Sequence, residues 1–542
     1  MFPENKAWTR RDFLKLVGQA GLVAAAPTLA DAAGALHDET VCISILHTTD
    51  LHGHILPTSD YDGTADRGGI ARCVTQIRRW RQQNPNSILI DAGDVYQGTD
   101  VSLRNKGELM IDLFNHLKYD AWVIGNHEFD WTIEPFHQAL QRSAMPVLAA
   151  NTLLEGNPAG ELPDAKNPLA KIQPYILREI AGIRLAVIGI TTPGMPFWLP
   201  REFTAGIDFE HPVEPVRRAI AKAKGDGADA VVLTGHMGLK PRTGGDDFAN
   251  SVMALTSEFP GVVAFIAGHT HQAIPSRVTN GVLFTQADHF GIHVGRVDLL
   301  FDRTSKKLLH REAICELMDN RFHRDQVVIS RVASQLTESA ADLAQPIGEL
   351  AEVLRAQSQP GRPSDIEKLI GAAIIESLLE RKVAIDGVIH GVFDSNAQLL
   401  AGPKTINDIW NIIPYENFVV TATLSPDEIK TVMEEVYASH EARNLVGIEV
   451  NVEGGGRDRR IASMAFPDRG PLERGKKYVI AVNSFDARSG GHHFMKLRAL
   501  LDRPEANSVL HPVQTRDALI EYFRRHKIVH RIAEARPWAP AA

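Results

Sequence analysis

The feature that most constrains this chain is a repeated join, in which a short apolar run breaks into a glycine-containing loop. It occurs at VCISIL (41–46), SILIDAGD (87–94), AWVIGNHE (121–128), IRLAVIGI (183–190), DAVVLTGH (229–236) and VVAFIAGH (262–269). Apolar, β-branched runs of this length read as buried strands. Amphipathic stretches at 105–118, 132–143 and 213–224 lie between them and read as helices. Strand, crossover and strand in alternation specify a layered α/β fold. In such sheets ligands collect in the loops at the carboxyl ends of the strands.

Those loops carry metal-type ligands. TTDLHGH offers Asp50 and His52, DAGD offers Asp94, GNHEFD offers Asn126, TGHMG offers His236, and GHTH offers His269 and His271. Oxygen and imidazole donors suit a pair of divalent first-row metals such as Mn, Zn, Fe or Co. A metal pair sharing one carboxylate clamps a phosphoryl group and activates water. Asp94 is the candidate bridge, because the glycine before it lets the backbone come close. Asp50/His52 and His269/His271 are i,i+2 pairs, which an extended strand end would present on one side. A lone Asp or His in a loop is as often a cap or a surface residue. Five blocks, all at strand ends, move the reading towards a site.

GNHEFD adds an acid–base pair. His127 follows Asn126, and Asp130 lies three residues further on. A carboxylate in that position fixes an imidazole tautomer. The imidazole then stabilises developing charge or protonates a leaving oxygen. The competing reading makes Asp130 the N-cap of a helix starting near Trp131. Glu128, His47 and His54 read as support residues rather than ligands, and Arg67-Gly68-Gly69 as cleft lining or a turn.

At 542 residues the chain is long enough for two or more domains. A first domain spans 40–322, a Gly- and Pro-free stretch at 323–344 reads as a linker helix, and a smaller α+β domain spans 346–535. In the latter, 364–381 and 425–438 read as helices and 417–423 and 478–483 as strands. The net charge of -8 argues against a nucleic-acid polymer as partner. Three cysteines exclude a disulfide framework, and Cys42 reads as a core residue. Residues 1–33 hold Arg10-Arg11, a Phe-Leu-Lys, an Ala/Gly-rich stretch and a small-residue cleavage site, the order of a twin-arginine signal peptide. The Tat export machinery is then a partner, and the destination is the periplasm or another extracytoplasmic space. No later run reaches the roughly 18 apolar residues of a membrane span, so stable membrane insertion is not expected.

These residues together resemble the two-domain 5'-nucleotidase family of the calcineurin-like metallophosphatases. Its bacterial members include periplasmic UDP-sugar hydrolases and nucleotidases. The resemblance implies a layered metallophosphatase β-sandwich flanked by helices, followed by a substrate-binding domain. It implies one metal held by Asp50, His52, Asp94 and His271 and another by Asp94, Asn126, His236 and His269. It makes His127 and Asp130 the catalytic pair for hydrolysis of a phosphate ester by metal-activated water. INDIWNIIPYENFVV (406–420) resembles the segment carrying a base-stacking aromatic, here Tyr415, with Asn417 nearby. NSFDARSGGHHF (483–494) resembles the loop carrying a second, here Phe485. The competing reading for both rings is core packing.

Two departures bear on substrate. The family's Asn-Gly-Gly-x-Arg block appears as Ile-His-Gly-Val-Phe-Asp at 389–394, without its phosphate-contacting arginine. The Gly-Gly-Asp-Gly ending of the second aromatic loop reads Gly-Gly-His-His at 490–493, without its sugar-contacting aspartate. Arg488 and His492 are the candidates for those roles. The loss of the arginine keeps a second reaction open on the same scaffold: release of sulfate from a carrier-protein thiol, as in a relative from thiosulfate oxidation.

Overall fold

The computed structural model describes residues 39–199, 201–239, 249–415, 417–439, 443–455, 459–489 and 493–533. The expected signal peptide and His492 lie outside the described residues. Among the described residues no helix is long and apolar enough to cross a membrane. The chain divides into two compact units, one reaching to Arg331 and the other running from Val332 and including Gln97–Arg104.

The stretch expected as one linker helix is two, Gln326–Arg331 and Ala333–Leu343. The first begins late because the Asp325 carboxylate caps it, accepting from the backbone N–H of Val327 and Val328 at 3.0 Å each. The break falls at Val332, with φ −112° and ψ 14°, whose β-branched side chain is fully buried.

Two large sheets frame the first unit among the described residues. One has seven strands in the spatial order Leu308–Leu317, His293–Asp302, Thr40–Thr48, Ser87–Asp91, Ala121–Val123, Val147–Leu148 and Ile172–Gln173. The other has six, in the order Ala273–Thr279, Val282–Ala287, Ala264–Ala267, Ala230–Gly235, Ile183–Ile190 and Tyr175–Ile180. Alternate residues of both sheets meet in one core: Val41, Ile43, Ile45, Ile88 and Ile90 from the first, with Leu185, Val187, Val232 and Ile266 from the second. The opposite residues of the second sheet, Ile188, Val231, Leu233 and Phe265, pack on helices Val213–Gly225 and Val252–Glu258. Cys42, with its neighbours Val41 and Ile43 in the core, is only half-buried. The inner strands Thr40–Thr48, Ser87–Asp91 and Ala121–Val123 run parallel, as do Ile183–Ile190, Ala230–Gly235 and Ala264–Ala267. Their carboxyl ends therefore lie on one rim of each sheet.

The second unit repeats the logic with one five-stranded sheet, ordered Arg443–Val446, Gly387–Gly391, Tyr478–Asn483, Phe418–Leu424 and Val509–Gln514. Neighbouring residues face opposite cores. Val388, Val419 and Ala481 meet helices Asp365–Glu380 and Thr515–His526, while Ile389, Val420 and Val482 meet Pro426–Ala438 and Met495–Leu501. Sheets covered on both faces demand the continuous apolar runs seen in the sequence.

His47 and Gly295 sit opposite each other on adjacent strands. A Cβ at Gly295 would approach the His47 ring to 2.0 Å, so the glycine makes the room the imidazole fills. Gly295→Ala is expected to cost about 1–3 kcal/mol in urea unfolding; wild-type stability would contradict this packing. Burial pushes the His47 pKa down to about 3, so the folded chain keeps it neutral. The unfolded imidazole takes up a proton below about 6.5. The stability this contributes is present above that value and is lost as pH falls from there towards 3. The urea stability of the wild type should therefore fall more steeply below pH 6 than that of His47→Gln, by up to about 1.4 kcal/mol per pH unit.

Candidate active site

All seven expected ligands belong to the first unit, and all follow strand ends. Asp50 and His52 follow Thr40–Thr48, Asp94 follows Ser87–Asp91, and Asn126 follows Ala121–Val123. His236 follows Ala230–Gly235, and His269 and His271 follow Ala264–Ala267. The structure brings them together as two triplets, Asp50/His52/His271 and Asp94/His236/His269, each with its donor atoms within 4.8 Å of one another. Asn126 joins the second triplet, its Oδ1 3.2 Å from His236 Nε2. Asp94 Oδ2 faces both groups, 3.0 Å from His236 Nε2 and 3.8 Å from His52 Nε2.

The i,i+2 pairs converge by a different route from an extended strand. The strands stop at Thr48 and Ala267, and Asp50, His52, Asp94, His269 and His271 all have φ between 47° and 74°. This left-handed conformation costs most residues free energy, and Asp and His are among those that tolerate it best. The residue types that bind metal are thus also types that can make the turn. Glycines make the remaining space. A Cβ at Gly93 would lie 2.7 Å from His236 Nδ1, one at Gly125 2.3 Å from Asp94 Oδ1, and one at Gly268 3.0 Å from Asp50 Oδ2.

The donor set fits cations. His52 Nε2 lies 3.1 Å from His271 Nε2, and His271 Nε2 lies 3.3 Å from Asp50 Oδ1. Nitrogen and oxygen lone pairs converge there, the pattern that divalent ions satisfy. Each ring is held by its other nitrogen where a partner is evident: His236 Nδ1 lies 2.8 Å from the Ala92 carbonyl, which only accepts, so Nδ1 carries the proton and Nε2 faces the site.

His127 stands beside this group, its ring centroid 5.2 Å from that of His52. Its backbone N–H donates to Asp94 Oδ1 at 2.9 Å, and its Nδ1 lies 2.8 Å from Asp130 Oδ2. The N-cap reading of Asp130 does not hold: the next helix is Ile133–Arg142, and its N-cap is Thr132. Burial works to lower the His127 pKa, but the charges of Asp130 and Asp94 outweigh it and raise the value to about 10. A cation on Asp94 would cancel that carboxylate's share and leave the share from Asp130. Glu128 is no ligand. Its buried carboxylate accepts from the backbone N–H of Gly125 at 2.6 Å, Val95 at 2.7 Å and Asp94 at 3.1 Å, tying the Asp94 loop to the Asn126 turn. Burial and the nearby Asp94 charge push its pKa up, against the backbone N–H groups that hydrogen-bond to it.

The other support residues fall as follows. His47 is in the sheet core. His54 stacks on Phe290 at a centroid distance of 3.9 Å. Arg67 pairs with Asp319 at 3.1 Å rather than entering the site. Asp91 gave no special signal in the sequence. It is fully buried, accepts from Thr48 Oγ1 at 2.6 Å and Gly93 N at 2.8 Å, and so shapes the turn into Asp94.

In the second unit, strand Phe418–Leu424 pairs antiparallel with Tyr478–Asn483 so that Val419 faces Asn483, and Phe418 N donates to Ser484 Oγ at 3.1 Å. Tyr415 and Asn417 therefore share one end of the sheet with Phe485 and Arg488. Phe485 is 46% exposed and Tyr415 is half-buried, so neither ring is a core residue. Tyr415 meets Phe393 edge-on at 5.3 Å, and Phe393 is 56% exposed. Arg488 is half-buried. Sequence reasoning missed Arg516, which donates to the carbonyls of Ile413 and Pro414 at 2.8 Å each and lies 3.4 Å from the Trp410 ring centroid. Buried at 3% exposure, it buckles the loop that leads to Tyr415.

Residues 43–273 match the calcineurin-like phosphoesterase family and residues 346–499 the 5'-nucleotidase C-terminal domain. A trifunctional nucleotide phosphoesterase of Bacillus subtilis is 25% identical over 350 residues, 57% of this chain but only 23% of that longer protein. A snake venom 5'-nucleotidase of Naja atra is 25% identical over 507 residues, covering 84% of this chain and 91% of the relative. Among solved structures, a putative 5'-nucleotidase from Staphylococcus aureus has a TM-score of 0.74 at 21% identity, covering 89% of this chain and 96% of that one. A sulfate thiohydrolase from Thermus thermophilus has a TM-score of 0.62 at 18% identity, covering 91% and 95%.

Glu128→Ala would leave three buried N–H groups without an acceptor, each costing about 1–3 kcal/mol. A drop of about 3 kcal/mol or more in chemical unfolding is expected, against a smaller one for Glu128→Gln, whose amide oxygen can still accept from Gly125 and Asp94 while its NH2 cannot accept from Val95. Equal effects would contradict the clamp.

Proposed function

We propose that this chain, which belongs to the calcineurin-like phosphoesterases carrying a 5'-nucleotidase C-terminal domain, hydrolyses a nucleotide or related phosphate ester outside the cytoplasm. Such proteins are phosphoric ester hydrolases that work with a dimetal centre. The observation that carries the reading is the meeting of two ligand triplets around Asp94 with His127 and Asp130 beside them. One metal would be held by Asp50, His52, Asp94 and His271, and the other by Asp94, Asn126, His236 and His269. Bound there, the pair would supply Lewis acidity and activate water.

The protein's own groups do the rest. Asp130 accepts from His127 Nδ1 and favours the cationic ring, the form in which Nε2 carries a proton. That proton stabilises charge on the transferring group or passes to the leaving oxygen. Glu128 fixes the two loops, so Asp94 and His127 hold their spacing as charge moves. Tyr415 and Phe485 are the stacking surfaces for a base, each worth about 1–3 kcal/mol on truncation. Asn417, Arg488 and His492 are further substrate contacts. The twin-arginine segment directs export to the periplasm or an equivalent space.

A second reading has one observation in its favour. An exposed Phe393 stands near where the family's phosphate-gripping arginine belongs. The missing arginine fits a substrate that is not a nucleotide, and a carrier-protein thiol bearing sulfate is one.

A panel of AMP, UDP-glucose, cyclic nucleotides, an aryl phosphate and a cysteine S-sulfonate peptide, run on metal-reconstituted protein, separates the two. Turnover of the phosphate esters is expected, and turnover of the S-sulfonate alone would overturn the proposal. His127→Gln should lower kcat on the preferred ester about 100- to 10,000-fold with metal content unchanged. Full activity in that variant would remove His127 from the chemistry.

A further inference from the structure

His271 offers Nε2 to the first triplet, which leaves its Nδ1 to be held from outside. What holds it is a phenol. The Tyr61 hydroxyl lies 2.8 Å from His271 Nδ1. Because Nε2 points its lone pair at the ligand cluster, a neutral ring carries its proton on Nδ1 and donates it to the Tyr61 oxygen. Tyr61 comes from a surface hairpin, and its ring is 45% exposed.

The hairpin is anchored on several sides. Thr58 and Arg67 exchange backbone hydrogen bonds at 2.7 and 2.9 Å, Asp60 N donates to Thr64 O at 2.9 Å, and Arg72 donates to the Asp66 carbonyl at 2.7 Å. The Tyr61 ring stacks on His289 at 4.2 Å and 11°, and His289 stacks on His271 at 4.9 Å and 13°. His289 is itself fixed, with Nδ1 2.7 Å from Asp288 Oδ1, and the other oxygen of Asp288 lies 2.8 Å from His293 Nδ1. Three parallel rings and one hydrogen bond therefore determine both the plane and the tautomer of His271.

We propose that Tyr61 is a positioning residue for the first metal site, acting through His271 with His289 as the slab beneath both rings. The inference rests on the dimetal reading. Partners of this kind orient a ligating imidazole, and their loss lowers metal affinity about 10- to 100-fold. A phenol oxygen is a weaker acceptor than a carboxylate, so it leaves the imidazole less electron-rich than an acidic partner would.

The test is Tyr61→Phe, which keeps the ring stack and removes only the hydroxyl. Metal-free full-length protein is dialysed against Mn(II) at graded free concentrations, and bound metal is counted. The wild type should take up two ions. The variant should keep one at wild-type affinity and bind the other about 10- to 100-fold more weakly. Its thermal midpoint without metal should match the wild type, and excess Mn(II) should restore its hydrolytic rate. Wild-type affinity for both ions in Tyr61→Phe overturns the inference. Uptake of fewer than two ions by the wild type overturns the dimetal reading itself, and the inference with it.

Discussion

The structure of the first unit depends on one buried carboxylate held at the carboxyl ends of the strands. Asp94 faces imidazoles of both ligand groups through Oδ2, while Oδ1 accepts the His127 N–H. A charge buried this deeply is stable only when it is paired and hydrogen-bonded. Its neighbours meet that demand, and the same contacts define a place for cations. Parallel strands supply the rim, and the left-handed turns at Asp50, His52, Asp94, His269 and His271 fold their side chains back over it. The turns carry backbone strain, which the packed sheets beneath them offset.

Much of this was legible in the sequence, because the two codes involved are local. Apolar runs ending in glycine loops mark strand ends, and Ile183–Ile190 and Tyr478–Asn483 have the bounds their patterns predict. Ligand chemistry marks the loops themselves. The route by which ligands converge was not legible. Two-residue spacing predicts an extended strand end, whereas the strands stop earlier and positive φ does the work. Positive φ in a non-glycine residue leaves no sequence signature beyond a preference for Asp, Asn and His.

Contacts distant in sequence were the hardest to foresee. Asp130 read as a partner for His127 or as a cap, and the start of the helix at Ile133 with its Thr132 N-cap removes the second role. Tyr61 and His271 are 210 residues apart, and Arg516 meets a carbonyl 103 residues away. No local period encodes such pairs. The single linker helix failed for a related reason: helical periodicity says nothing of a buried Val332 that takes the chain out of the helical well. In the second unit, the sheet register explains why Tyr415 and Phe485 emerge at one end.

The central claim is that the loops at the strand ends form one two-ion centre bridged by Asp94. Anomalous diffraction from crystals grown with Mn(II) tests it most directly. The account predicts two peaks about 3.5–4 Å apart, with Asp94 between them and the Asp50 and His236 groups on either side. A single peak, or two peaks that do not share Asp94, would contradict it.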